Sequence, residues 1–143
     1  MNIAMPGHTA ELYRHSVAYA DTDAGGIVYH GRYLEIAERA RNRILYEAGF
    51  TYSGIARQWG VMFVVRNVEM TFHAPAALDD ELVVATSLTR CDPSRTCWLT
   101  RIERDAQPVA AIKLELVAVD VHDRGIRRHP EALLEALARH LKS

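Results

Sequence analysis

The sequence predicts an α+β fold in which an antiparallel sheet packs against one long helix. Two observations lead to this prediction: a helical apolar pattern in the N-terminal third, and several strand-like segments after residue 60. The chain has 143 residues, of which 49% are hydrophobic. That is enough for one core and too little for two ordinary domains, so we expect a single domain over residues 1–143.

The long helix is predicted to follow His30-Gly31-Arg32. Apolar residues then recur at helical spacing, at Tyr33, Ile36, Ala37, Ala40, Ile44 and Ala48. Gly49 occupies the position of a C-terminal cap glycine. No Ser, Thr, Asp or Asn stands at the start of the helix, so we expect its first backbone amides to lack a side-chain cap.

Turn residues delimit the other elements. A first strand is predicted over residues 12–20, a short helix or loop over 51–60, and later strands over 61–72, 81–90, 96–104 and 109–121. Gln107-Pro108 is expected in a turn, and Pro130 is expected to open a C-terminal helix. A curved five-stranded sheet around one helix leaves an edge strand exposed, so we expect pairing with a second copy of the chain.

Composition excludes several classes of partner. Seventeen basic and eighteen acidic residues give a net charge of −1, which offers no general attraction to nucleic acid. No segment is long enough to span a membrane and no signal peptide is evident, so a cytoplasmic protein is expected. Cys91 and Cys97 are expected to be reduced. His122 and His129 lack zinc-site spacing, and we expect no metal.

The functional argument centres on residues 19–34, which read Y-A-D-T-D-A-G-G-I-V-Y-H-G-R-Y-L. Asp21, Asp23 and the glycines Gly25 and Gly26 predict a sharp turn directly before the helix. Unpaired amides at the positive end of a helix can stabilise a developing oxyanion. The alternative is that water or a remote side chain satisfies these amides, but the acidic turn beside them favours a catalytic role.

This segment resembles the signature of hotdog-fold acyl-CoA thioesterases of the 4-hydroxybenzoyl-CoA thioesterase type, and most of all their Tol-Pal-associated branch. The matching residues in the segment are Tyr19, Asp21, Thr22, Asp23, Gly26, Val28, Tyr29, His30, Tyr33 and Leu34. Further matches are Glu38-Arg39-Ala40-Arg41, Phe63-Val64-Val65-Arg66, Ala74-Pro75 and Leu78-Asp79-Asp80. The similarity weakens after Thr89.

The resemblance implies a hotdog fold, assembly as homodimers paired into tetramers, and hydrolysis of acyl-CoA thioesters. It assigns Asp23 as the nucleophile or general base, a choice that the sequence leaves open. The backbone amides around His30 and Gly31 would polarise the carbonyl, and the His30 ring would orient the substrate or assist proton transfer. No cofactor is implied, because coenzyme A is part of the substrate.

The resemblance also suggests binding residues and one alternative carboxylate. Tyr29, Arg66 and Arg95 are the candidates for contacts with the CoA ester. Glu38 is the alternative catalytic acid, because another branch of hotdog thioesterases carries its carboxylate on the central helix. The simpler expectation is that Glu38 forms an ion pair with Arg41, which lies three residues further along the same helix face.

Two other classes of function remain open from the sequence. A hotdog enoyl-CoA hydratase would also use an aspartate and a histidine. A non-catalytic acyl-CoA-binding module would keep the fold and the affinity for CoA without hydrolysing the thioester. The presence of both Asp23 and His30 argues against the non-catalytic module, whereas assays of thiol release and of double-bond hydration would separate the two enzymes.

Overall fold

The computed structural model describes residues 11–141, and within them it confirms the predicted α+β architecture. The helices are α1 (His30–Glu47), α2 (Tyr52–Trp59) and α3 (Glu131–Leu141), and a short 3-10 turn spans Tyr19–Asp21. The strands are β1 (Glu11–Ser16), β2 (Val61–Phe72), β3 (Glu81–Cys91), β4 (Arg95–Arg104) and β5 (Gln107–Asp120). They form one antiparallel sheet in the order β1-β3-β4-β5-β2.

Helix α1 packs its apolar stripe against the inner face of this sheet. Its most buried residues are Tyr33, Ile36, Ala37, Ala40 and Ile44, and they belong to the same core as Val84, Ile102 and Ile112 from the strands. The helix ends as predicted, with the Ala48 amide donating to Ile44 O and Gly49 adopting a φ of 95°. Burial of this face fixes where the first turn of α1 lies.

Two predicted boundaries are wrong, and both have local causes. The first strand ends at Ser16 rather than Ala20, because the Asp21 side chain accepts the Ala18 amide and folds the chain into the 3-10 turn. The turn near residue 107 is made by Asp105 and Ala106, both with positive φ, so Gln107-Pro108 begins β5. Pro108 is tolerated there because β2 pairs with β5 only as far as Ala110.

The inner face of β2 is only partly covered. Val65, Val68 and Phe72 pair with the buried residues Leu116, Leu114 and Ala110 of β5, so they share the inner face of the sheet. Their exposures are nevertheless 56%, 41% and 51%. We call these three side chains the β2 edge strip. Since β2 pairs only with β5, its outer backbone edge is also unpaired within the described sheet.

Two further features concern the helices and the cysteines. None of the helices in the described part of the chain combines the length and apolarity needed to cross a bilayer. Cys91 and Cys97 are free thiols, as predicted. Burial raises the pKa of each thiol, and nearby Asp92 and Glu115 contribute to the rise, so both are uncharged at neutral pH.

A buried carboxylate joins β1 and the 3-10 turn to α1. Asp21 is 6% exposed, its Oδ2 accepts the Ala18 amide at 2.9 Å and lies 2.9 Å from His15 Nε2, and its Oδ1 lies 3.3 Å from Arg32 Nε. Burial alone would raise the pKa of Asp21. The Ala18 amide, His15 and Arg32 more than offset burial and lower that pKa below its ordinary value.

Arg32 extends this connection within the first turn of α1. Its guanidinium donates to Ala20 O at 2.6 Å and to Glu35 at 2.8 Å, in addition to its contact with Asp21. The Asp21–Arg32 pair therefore ties the residues before Asp23 to the residues after His30. We call it the Asp21–Arg32 clamp.

Replacing Asp21 with Asn should destabilise the protein by roughly 1–3 kcal/mol at neutral pH, because the buried partners of the carboxylate lose its charge. The folded-state pKa of Asp21 is depressed, so its contribution is present above the unfolded value of about 3.9 and is lost as pH falls through the lower folded value. Urea unfolding of both proteins from neutral to acid pH measures this difference.

The matched control for this experiment is Asp105→Asn, because Asp105 is an exposed turn residue. The control should follow the wild type at every pH. An Asp21→Asn variant that also followed the wild type would show that the clamp does not stabilise the fold.

Candidate active site

The turn after the clamp presents the carboxylate of Asp23 at the surface. The Asp23 amide donates to Ile27 O at 2.9 Å, and the Gly26 amide, at a φ of 82°, donates to Asp23 O at 3.0 Å. Asp23 Oδ1 accepts the Gly25 amide at 2.8 Å. A Cβ at Gly25 would lie 3.2 Å from that oxygen, so glycine permits the close contact. Asp23 Oδ2 has no hydrogen-bond partner among residues 11–141.

The first turn of α1 is uncapped by side chains, as predicted. Tyr29 precedes the helix in an extended conformation and makes no side-chain cap hydrogen bond. The Arg32 amide donates to Tyr29 O at 3.0 Å, whereas the amides of His30 and Gly31 precede the first helical hydrogen bonds. A Cβ at Gly31 would lie 3.0 Å from the Tyr29 ring, so glycine allows that ring to lie against the helix start.

A cavity of about 420 Å³ lies between the turn, the start of α1 and the end of β2. Asp23, Tyr29 and His30 line it together, so three of the predicted site residues meet in one place. The rest of the lining is mostly apolar: Ile27, Val28, Tyr33, Phe72, His73, Ala74 and Pro75. A mostly apolar cavity with one carboxylate, the imidazoles of His30 and His73, and a helix N-terminus can hold an acyl group and polarise its carbonyl.

The wall formed by Ala74 and Pro75 is held by a second ion pair. Arg104 Nη1 donates to Asp80 Oδ2 at 2.7 Å and to Pro75 O at 2.8 Å. Asp80 Oδ2 also accepts the Ala77 amide at 2.8 Å. That amide, together with Arg104, lowers the pKa of Asp80 despite partial burial. The loop is therefore attached to β4 through Arg104, and the Val28 amide, which donates to Ala76 O at 2.8 Å, attaches it to the residues before α1.

The expected ion pair between Glu38 and Arg41 is wrong. Glu38 is exposed, lines no described cavity and forms no ion pair with any described residue. Arg41 is 6% exposed and lies beside the Tyr52 hydroxyl instead. The cost of burying a charge explains this outcome. If Glu38 pointed inward with Arg41, its carboxylate would also be buried.

Arg66 and Arg95 lie beside the Glu115 carboxylate and not at the Asp23 cavity. Arg66 Nη1 lies 3.4 Å from Glu115 Oε1, and Arg95 Nη1 lies 3.6 Å from Glu115 Oε2. Arg66 is the extra residue of a bulge in β2. It precedes Phe72 by six residues, which places it about 20 Å along the strand from the Asp23 cavity. The candidate CoA contacts thus fall in two separate regions of one chain, with Tyr29 at the Asp23 cavity and the two arginines at Glu115.

Motif reasoning missed three residues around the cavity. Phe72 and His73 line it from the end of β2, and Arg32 holds the clamp. An apolar residue at the end of an alternating strand and an arginine three positions before a glutamate are common in any sequence. No local pattern distinguishes them, and only the tertiary fold brings them to Asp23.

Comparison with known proteins identifies the family of the chain. Residues 17–137 match the thioesterase-like superfamily. The acyl-CoA thioester hydrolase YbgC of Escherichia coli O6:H1 is 33% identical over 126 residues, which cover 88% of this chain and 91% of that protein. The acyl-CoA thioesterase YbgC of Haemophilus influenzae is 33% identical over 105 residues, which cover 73% and 77%.

Solved structures show the same architecture. The hypothetical protein TT1821 of Thermus thermophilus aligns with a TM-score of 0.82 at 29% identity, over 91% of this chain and 98% of that one. The 1,4-dihydroxy-2-naphthoyl-CoA thioesterase of Synechocystis aligns with a TM-score of 0.84 over 91% and 96%, and at 23% identity it supports the fold alone. On its fold and on a family match spanning residues 17–137, this chain belongs to the thioesterase-like superfamily of hotdog proteins.

Proposed function

We propose that this protein hydrolyses acyl-CoA thioesters to a free acid and coenzyme A. The observation that carries the proposal is the single apolar cavity shared by Asp23, His30 and the uncapped start of α1. Relatives named acyl-CoA thioester hydrolases support the same reaction. The motif in residues 19–34 supports placement in the Tol-Pal-associated branch. We further propose a cytoplasmic protein with one thioesterase domain.

In the proposed mechanism, the thioester carbonyl oxygen accepts hydrogen bonds from the amides of His30 and Gly31. The positive end of the α1 dipole then stabilises the negative charge that develops on this oxygen. Asp23 acts on the carbonyl carbon from the other side of the cavity. The His30 ring orients the ester or passes a proton to the departing thiolate.

Two routes for Asp23 lead to the same products. In one, the carboxylate attacks the carbonyl carbon, the C–S bond breaks, and water hydrolyses the resulting anhydride. In the other, the carboxylate takes a proton from a water molecule whose oxygen attacks the carbon directly. Both release the acid, and the thiolate leaves as CoA thiol after it gains a proton. The free Oδ2 of Asp23 is compatible with either route.

We propose that Arg66 and Arg95 bind the phosphates of coenzyme A, while Tyr29 contacts the part of the ester near the carbonyl. The two guanidinium groups share one carboxylate, so the group around Glu115 keeps a net positive charge. Glu115 also lines a second cavity of about 470 Å³ together with Arg90 and Lys113. Glu115 would compete with a phosphate, so binding requires the arginines to turn away from it.

The β2 edge strip supports a homodimer, paired again into a tetramer as the family resemblance implies. Antiparallel pairing of two β2 edges about a twofold axis would cover Val65 and Val68. In this pairing the two β2 strands run in opposite directions, so Arg66 of one copy would lie near Phe72 of the other. This arrangement would bring a phosphate-binding region to each Asp23 cavity, which one chain alone keeps about 20 Å away.

Asp23→Asn should lower kcat by roughly a hundredfold or more, the usual scale for an acid–base or nucleophilic group, while the fold is unchanged by circular dichroism. Glu38→Gln is the matched control, because Glu38 is exposed on the same segment of chain outside the cavity. Release of CoA thiol from a series of acyl-CoA esters measures both variants.

If Glu38→Gln abolished turnover while Asp23→Asn left it nearly normal, the assignment of Asp23 would be contradicted and Glu38 would be favoured as the catalytic carboxylate. Hydration of an enoyl-CoA without thiol release from any ester would favour the hydratase. Binding of CoA esters without either reaction would favour a non-catalytic module.

Val68→Lys should produce folded monomers with little thioesterase activity, because it places a charge within the proposed interface. The side chain is already 41% exposed in a single chain, so the substitution should not disturb the core. Thr71→Lys is the control on the opposite, outer face of the same strand. Sedimentation and thiol release measure both variants; a monomeric Val68→Lys protein with wild-type kcat/KM would show that the site is complete in one subunit.

A further inference from the structure

A small internal cavity next to Arg41 has no role in the proposed reaction. It measures about 20 Å³, room for roughly one water-sized occupant, and it shares no lining residue with the Asp23 cavity. It lies among α1, α2, the inner face of the sheet and α3. Arg41 is only 6% exposed, and its Nε is buried without a hydrogen-bond partner in the described residues.

The Arg41 guanidinium, whose Nε is buried, has no counter-charge among residues 11–141. An arginine stays protonated at all physiological pH values, and a buried charge is normally paired. No carboxylate in the described part of the chain forms an ion pair with Arg41, and Glu38, one helical turn earlier, is exposed. Burial raises the pKa of the adjacent Tyr52 hydroxyl, and the charge of Arg41 offsets only part of that rise. Tyr52 is therefore neutral and supplies no negative charge.

The polar groups that line this cavity are hydrogen-bond donors. Thr96 Oγ1 accepts the Trp98 indole N–H at 2.9 Å, which leaves the Thr96 hydroxyl proton free to donate. Arg41 Nε–H and the Tyr52 hydroxyl add two further donors, and the remaining lining consists of leucine, phenylalanine and tryptophan side chains. A water molecule there could donate to the remaining lone pairs of the Thr96 and Tyr52 hydroxyls, but it would leave the charge of Arg41 unbalanced. A monoatomic anion only accepts, and it also neutralises the guanidinium.

We propose that this cavity binds one monoatomic anion, chloride under ordinary conditions, against Arg41. Thr96 and Tyr52 complete its hydrogen bonds, and the leucines exclude water from it. The ion joins α1 to the inner face of β4, at the opposite end of the helix from His30. Its occupancy therefore stabilises the fold rather than takes part in thioester hydrolysis.

Bromide is a direct probe of the site, because it replaces chloride and scatters anomalously. Crystals of the full-length protein grown in sodium bromide should show an anomalous peak in contact with Arg41 Nε. In solution, the unfolding temperature in sodium chloride should exceed that in sodium gluconate of equal ionic strength. The difference should reach about 4 °C when chloride is about ten times its Kd.

Arg41→Met should abolish the chloride-specific part of this shift. The variant should fold, since an apolar replacement of a buried charge is often neutral or stabilising. Arg43→Met is the control, because Arg43 is exposed on the same helix, where it lies 3.6 Å from Glu47 and over the ring of Tyr13. An anomalous map without a peak at Arg41, or an equal chloride response in wild type and Arg41→Met, would overturn the proposal.

Discussion

The site depends on the contact between the Asp21 carboxylate and Arg32. The long helix α1 is fixed by its buried stripe, but the acidic turn before it is an exposed loop with few apolar side chains of its own. Asp21 is buried at 3.3 Å from Arg32 and at 2.9 Å from His15, so the turn is attached both to the helix and to β1. Because the turn is attached in this way, the Asp23 carboxylate is held beside the N-terminus of α1. A charge fixed at such a position is preorganised for carbonyl chemistry.

The opposite wall is held in a similar way by different residues. Arg104 connects the Ala74-Pro75 wall to Asp80, whose carboxylate also caps the Ala77 amide. The cavity is therefore bounded by two loops, each held by an arginine–aspartate pair. The Asp21–Arg32 pair attaches the first loop to α1, and the Asp80–Arg104 pair attaches the second loop to β4. The third boundary is Phe72, half exposed at the unpaired edge of the sheet. A second copy of the chain at that edge would complete the enclosure of the acyl group.

Much of this arrangement could be predicted from the sequence, because its signals are local. The apolar spacing of α1, Gly49 at its end, and the alternation of Ile112 and Leu114 with Lys113 identified the helix and the strands. The Asp23 turn and the uncapped His30 follow each other within one short segment. The missed features are tertiary: Arg41 was expected to pair with Glu38 three residues away, but the packing of α1 against the sheet buries one and exposes the other. Phe72 reaches the cavity only through the register of β2 and β5.

The central claim is that the substrate carbonyl lies between Asp23 and the first amides of α1. A crystal structure with a CoA analogue, in which a methylene ketone replaces the thioester, measures this directly. The account predicts the ketone oxygen about 3 Å from the His30 or Gly31 amide nitrogen, with the Asp23 carboxylate facing the carbonyl carbon. A ketone beside Glu38, or one whose oxygen points away from the start of α1, would contradict it.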